Sequence, residues 1–94
     1  MNHLIVLFED EPEMSAVREQ LFVDHLTYLT AQPHILVDGA SLAPNGTAKP
    51  VGGLWIVNAV DRDSIVRLIE GDPLFRSGHR TFRIFSTGKQ LSVS

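Results

Sequence analysis

The chain contains no cysteine, which excludes disulfide frameworks, thiolate nucleophiles, iron–sulfur clusters and cysteine-based zinc sites. Charge is also scarce. Only 20% of residues are charged, and eight basic against eleven acidic residues leave a formal net charge of −3. A general nucleic-acid binder needs a basic surface, so no nucleic-acid partner is expected. The apolar run near the N-terminus, Leu4 to Phe8, falls far short of the ~20 residues a membrane helix needs, and no basic n-region precedes it. The expectation is a cytoplasmic protein without a membrane partner. No G-x-S-x-G elbow surrounds a serine, and no G-x-G-x-x-G or Walker pattern occurs, so serine hydrolysis and nucleotide binding have no support. The four histidines, His3, His25, His34 and His79, are not spaced as H-x-x-x-H or H-x-H, so no metal is expected.

What remains is a chain of 94 residues, 44% of them hydrophobic, expected to form one domain over residues 1–94. Surface scaling for this mass implies that about 64% of the surface is buried on folding, enough for one modest core. Leu4 to Phe8 is a continuous run of β-formers, expected to be a strand that the acidic stretch Glu9 to Glu13 stops. From Glu13 to about Ala31 there is no Gly or Pro and the pattern is helical, with Glu11 and Glu13 placed to suit the helix N-terminus. Gln32-Pro33 ends it. Residues 34–42 read as a second strand, in which Gly39 marks a bulge or a close backbone approach. Ala43 to Gly53 is turn chemistry, a hairpin with a long tip. Leu54 to Val60 reads as a third strand. A short helix capped by Asp61 or Asp63 follows, with Gly71 as its C-terminal stop. Asp72 to His79 reads as a loop, Arg80 to Ser86 as a fourth strand, and the tail with Leu91 and Val93 as a short extra one. The order β-α-β-β-α-β is the ferredoxin-like, α+β arrangement, an antiparallel sheet with both helices on one face. Strands 1 and 3 are apolar on both faces, so a second copy is expected to cover the other face in a C2 dimer.

Three features carry chemistry. Taking about 100° per residue from Met14, the side chains of Met14, Val17, Leu21, Tyr28 and Leu29 share one helix face. His25 falls about 20° and Arg18 about 40° from its centre. An inward His and Arg need partners or a wet cavity; a core histidine satisfied by a backbone carbonyl, with Arg18 turned outward, explains the spacing equally. The segment Asp72 to His79 supplies a carboxylate able to orient an imidazole. Finally, charge is segregated: residues 9–24 hold six acids against Arg18 alone, while the last 22 residues hold Arg76, Arg80, Arg83 and Lys89 with no acid. Solvated surface, a docking surface for an anionic substrate and contact with a partner's acidic region all fit that pattern.

Taken in order, several motifs resemble the YCII-related family of dimeric α/β-barrel proteins. They are His25, Tyr28 and Leu29 as His-x-x-Tyr-Leu, Val37-Asp38-Gly39-Ala40, the pair Gly52-Gly53, and Asp72 to Gly78 as Asp-Pro-Leu-Phe-Arg-Ser-Gly. The resemblance covers about residues 2–90. Phe22 stands where relatives often carry arginine, with Arg18 one turn earlier, and Leu74 stands where they carry an aromatic. The resemblance implies a ferredoxin-like homodimer with a pocket centred on a His/Asp pair, here His25 and Asp72. It also implies a lyase or isomerase acting, without metal or organic cofactor, on a small ring-derived or aromatic-breakdown metabolite. Arg18 or Arg76 would hold the substrate's acidic group, with Phe75 and Gly39 as further lining. The alternative is a non-catalytic module that binds a small metabolite or only dimerises.

Overall fold

The computed structural model describes residues 3–46, 48–58 and 61–88, with the backbone alone for 36–41. Its elements are β1 (His3–Asp10), α1 (Met14–Thr30), β2 (Ile35–Leu42), β3 (Gly52–Asn58), α2 (Arg62–Gly71), α3 (Pro73–Arg76) and β4 (Arg80–Ser86). The sheet order is β2-β3-β1-β4 with every pairing antiparallel. This is the ferredoxin-like fold. The expected extra strand around Leu91 and Val93, and the end of the third strand at residues 59 and 60, lie outside the described residues.

The register sorts each strand's side chains onto two faces. Val6 sits between Trp55 and Ile84, and Phe8 between Gly53 and Phe82. Val6, Phe8, Trp55 and Val57 are buried and join Leu29 of α1 with Ile65 and Ile69 of α2 in one core, so both helices cover this face. The rings of Phe8 and Trp55 meet edge to face, 4.9 Å between centroids. The opposite face carries Ile5 paired with Ile56 and with Phe85, and Leu7 paired with Leu54 and Arg83. Its apolar side chains are only partly buried, and Phe85 is 43% exposed.

Three boundaries depart from the sequence-based expectation, each for a physical reason. The acidic residues do not stop β1. Glu9 and Asp10 continue it, because β4 brings Arg83 and Arg80 to them. Gly52 and Gly53 belong to β3 and not to the hairpin tip. A Cβ on Gly52 would run into the Phe8 carbonyl, so glycine is what allows the strands to pair so closely there. Gly71 does not end α2 through a left-handed backbone. Among the described residues only Gly78 (φ 86°) and Gly88 (φ 70°) have positive φ. Gly71 is instead a space requirement, since a Cβ there would overlap the Tyr28 hydroxyl and lie 2.8 Å from its Cε1 and Cζ. Two expectations agree in detail. Asp61 caps α2, accepting from the Ser64 N–H at 2.8 Å, and the β2–β3 register shifts between Val37 and Ala40, around Gly39.

The charge segregation is resolved within the chain. Asp10, its side chain 1% exposed, accepts from Arg80 Nε at 2.6 Å and a second Arg80 N–H at 3.0 Å, and from Arg18 at 2.8 Å. Arg18 also donates to the Gly52 carbonyl at 3.0 Å. Arg80 stacks over the Phe8 ring, 4.6 Å from its centroid. Burial alone would raise the Asp10 pKa, but hydrogen bonds and charge from Arg80 and then Arg18 outweigh it and hold the carboxyl below its ordinary 3.8. The folded-state value is depressed, so the stabilisation is complete well above 3.8 and lost as pH falls through the folded value. Asp10→Asn leaves the buried Arg80 without its counter-ion and should cost about 3–5 kcal/mol at neutral pH. Urea unfolding should show that gap begin to narrow as pH falls below 3.8 and close only below the depressed folded value, where the wild-type carboxyl is itself protonated; a gap independent of pH would contradict the assignment.

Candidate active site

Helix α1 turns Met14, His25 and Leu29 inward, fully buried, with Val17, Arg18, Leu21 and Tyr28 partly so. This is the face expected from the helical phase. Phe22, Val23 and Leu26 lie outside it and are exposed. The inward face meets a corner of the chain. Asp72 ends α2 and, in the same position, caps α3, with Pro73 as the first residue of the short helix. Proline suits that position because its missing N–H would be unpaired there in any case.

At this corner the imidazole of His25 reaches the carboxylate of Asp72, Nδ1 to Oδ1 at 2.6 Å. The His25 side chain is 7% exposed and that of Asp72 is 0%. Asp72 Oδ1 also accepts from the Leu74 backbone N–H at 3.1 Å. An ionised carboxylate only accepts, so the contact assigns the ring proton to Nδ1 and leaves Nε2 as the nitrogen able to exchange a proton. Asp72 Oδ2 is buried and makes no hydrogen bond among the described residues. Arg18 Nε and Asn58 Oδ1 are buried in the same way.

Tyr28 completes the corner. Its hydroxyl donates to the Leu68 carbonyl at 2.6 Å, and its ring lies over Gly71. Burial, and then the charge of Asp72, push the Tyr28 pKa above its ordinary 10.0, so the phenol stays neutral. The sequence motif His-x-x-Tyr-Leu contains this residue, but nothing in the pattern says that its hydroxyl closes on a carbonyl of the second helix.

The other candidates are dispersed. Arg18 lies about 10 Å along the helix axis from His25, and its guanidinium is engaged by Asp10 and Gly52. The structure therefore does not bring it to the imidazole. Arg76 is exposed at the end of α3. Phe75 packs edge to face on Phe82, 5.6 Å between centroids, at the border of the core. Gly39 lies on β2, and its side-chain surroundings fall outside the described residues. His34, expected at the start of the second strand, is exposed in the turn before β2. His3 is buried at the start of β1. His79 pairs with Glu11 at 3.4 Å. With Glu13 these two bring three potential ligand atoms within 4.8 Å of one another, but both carboxylates are exposed, an arrangement common on ordinary charged surfaces.

The chain belongs to the YCII-related domain family, whose model matches residues 1–86. Among solved structures it is similar to the 5-chloro-2-hydroxyhydroquinone dehydrochlorinase TftG from Burkholderia phenoliruptrix AC1100, determined in complex with 2,5-dihydroxybenzoquinone. The TM-score is 0.75 at 25% identity, over 88% of this chain and 90% of that one. No curated protein matches. No helix among the described residues is long and apolar enough to cross a membrane.

Asp72→Ala removes both the cap of α3 and the acceptor for a buried imidazole N–H. A lost cap costs about 0.5–2 kcal/mol and an unsatisfied buried donor about 1–3 kcal/mol, so denaturant unfolding should register a loss of about 2–5 kcal/mol. Asp72→Asn keeps an acceptor oxygen and should lose less; equal losses would show that the hydrogen bonds contribute nothing.

Proposed function

We propose that the protein is a small lyase or isomerase that uses His25 as general acid/base, oriented by Asp72, on a hydroxylated ring metabolite from aromatic breakdown. The observation that carries this is the 2.6 Å contact between two buried ionisable groups. The likeness to a dehydrochlorinase supports the reaction class. On a chlorinated hydroquinone, an acid/base at Nε2 has two tasks. It delivers a proton to the ring carbon bearing chlorine while a ring hydroxyl releases one to solvent, which makes that carbon tetrahedral. It then accepts a second hydroxyl proton as chloride departs with the bonding electrons. The sum is loss of HCl and formation of a quinone, with no external oxidant. Proton transfer by a positioned imidazole is the only protein chemistry such a reaction requires.

The same reading includes a homodimer. Ile5, Leu7, Leu54, Ile56 and Phe85 line the sheet face opposite the helices, and burying apolar surface contributes about 25 cal/mol per Å². A second copy of this sheet is the partner such a face suits.

A test combines chloride release from 5-chloro-2-hydroxyhydroquinone with a wider panel of chlorinated hydroquinones, lactones and dienoic acids. His25→Ala should lower kcat by about 10²–10⁴-fold, and Asp72→Asn should lower it through lost orientation and charge. Turnover that survives His25→Ala would place the chemistry elsewhere. No turnover across the panel would favour a module that binds a metabolite without converting it. Sedimentation at micromolar concentration should report a dimer, and Ile56→Asp a monomer.

A further inference from the structure

His25 and Tyr28 stand three residues apart on α1 and contact the same corner from one helix face. His25 meets Asp72, the residue after α2. Tyr28 meets α2 itself at two points, the Leu68 carbonyl and the space beside Gly71 that a Cβ would fill. Leu68 and Gly71 bracket the last turn of α2, so together they set where its end lies relative to α1. Asp72 follows Gly71 directly, and its backbone N–H bonds to the Ile69 carbonyl at 3.0 Å. The carboxylate is thus carried by a turn that Tyr28 holds. A side chain larger than hydrogen at position 71 would push the phenol away.

We propose that Tyr28 is a positioning residue: its hydroxyl, anchored on the Leu68 carbonyl and seated against Gly71, holds Asp72 at hydrogen-bond distance from His25. Neutrality of the phenol suits this role, because only the protonated hydroxyl donates to a carbonyl. The geometric claim stands on its own, and its consequence for rate rests on the catalytic role proposed above for His25. Small displacements of a catalytic group lower rates by up to about 100-fold, so the contact sets how much of that reach is realised.

The test uses the full chain with isotope-labelled histidine. The His25 Nδ1–H proton, bonded to a carboxylate, should resonate far downfield in the wild type. Tyr28→Phe keeps the ring and removes the anchor, and should move that resonance upfield or broaden it. Gly71→Ala, which disturbs the contact from the other side, should do the same. Ile65→Val, a core change on α2 about two turns before Asp72, serves as the control for lost stability and should leave the resonance in place. In the dehydrochlorination assay Tyr28→Phe should lower kcat by roughly tenfold while KM changes little, the signature expected of misplacement. An unshifted resonance in Tyr28→Phe, with a melting temperature lowered no more than in Ile65→Val, would reduce Tyr28 to a packing residue and overturn the proposal. If the wild type turns over no substrate, the catalytic role fails, and the resonance alone decides for or against the positioning role.

Discussion

One carboxylate joins three helices. Asp72 ends α2, caps α3 and accepts from the imidazole of α1, so the relative placement of all three depends on a group with no solvent exposure. Two of its bonds converge on one oxygen, and the other makes no hydrogen bond among the described residues. The core between the sheet and the helices is ordinary: branched aliphatics, one tryptophan and one phenylalanine.

A second carboxylate does the opposite work. Asp10 is saturated by two guanidinium groups and holds the N-terminal half of α1 against the sheet. Helix α1 is therefore tied at two stations, Arg18 to the sheet end and His25 to the helical corner. The first is an ion cluster that fixes one terminal nitrogen of Arg18, while its buried Nε makes no hydrogen bond among the described residues. The second keeps an imidazole nitrogen uncommitted. The division explains why Arg18, although on the inward face, belongs to the architecture and not to the pair at the corner.

Much of this was legible from residue order. The element sequence, the fourth strand's bounds and the inward phase of His25 follow from periodicity and turn residues, because these are local properties. The motif order pointed to the family, and the pairing of His25 with Asp72 as neighbours came with it. What was not legible depended on distant partners. Glu9 and Asp10 look like a strand terminator until β4 supplies arginines from some 70 positions away. Gly71 looks like a helix stop until Tyr28 is seen lying over it. Helix α3 spans four residues, too short for any period to emerge, and its signal is the Asp-Pro pair, which reads equally well as a loop. Arg18 was placed on the correct face, but helical phase cannot say which acid lies opposite.

The pairing of β1 with β4 has a kinetic side. Those strands come from opposite ends of the described chain, and the Asp10–Arg80 contact closes a loop of 70 residues. The length-dependent part of that closure entropy is about 4 kcal/mol, and it is incurred before most of the contacts that offset it exist. The β2–β3 hairpin, by contrast, is local. Folding of this chain should therefore begin in its middle and finish at its ends, with β4 adding last to an exposed edge of β1. The acidic end of β1 is well suited to that interval, since like charges at Glu9 and Asp10, continued by Glu11 and Glu13, discourage pairing of β1 with another copy of itself.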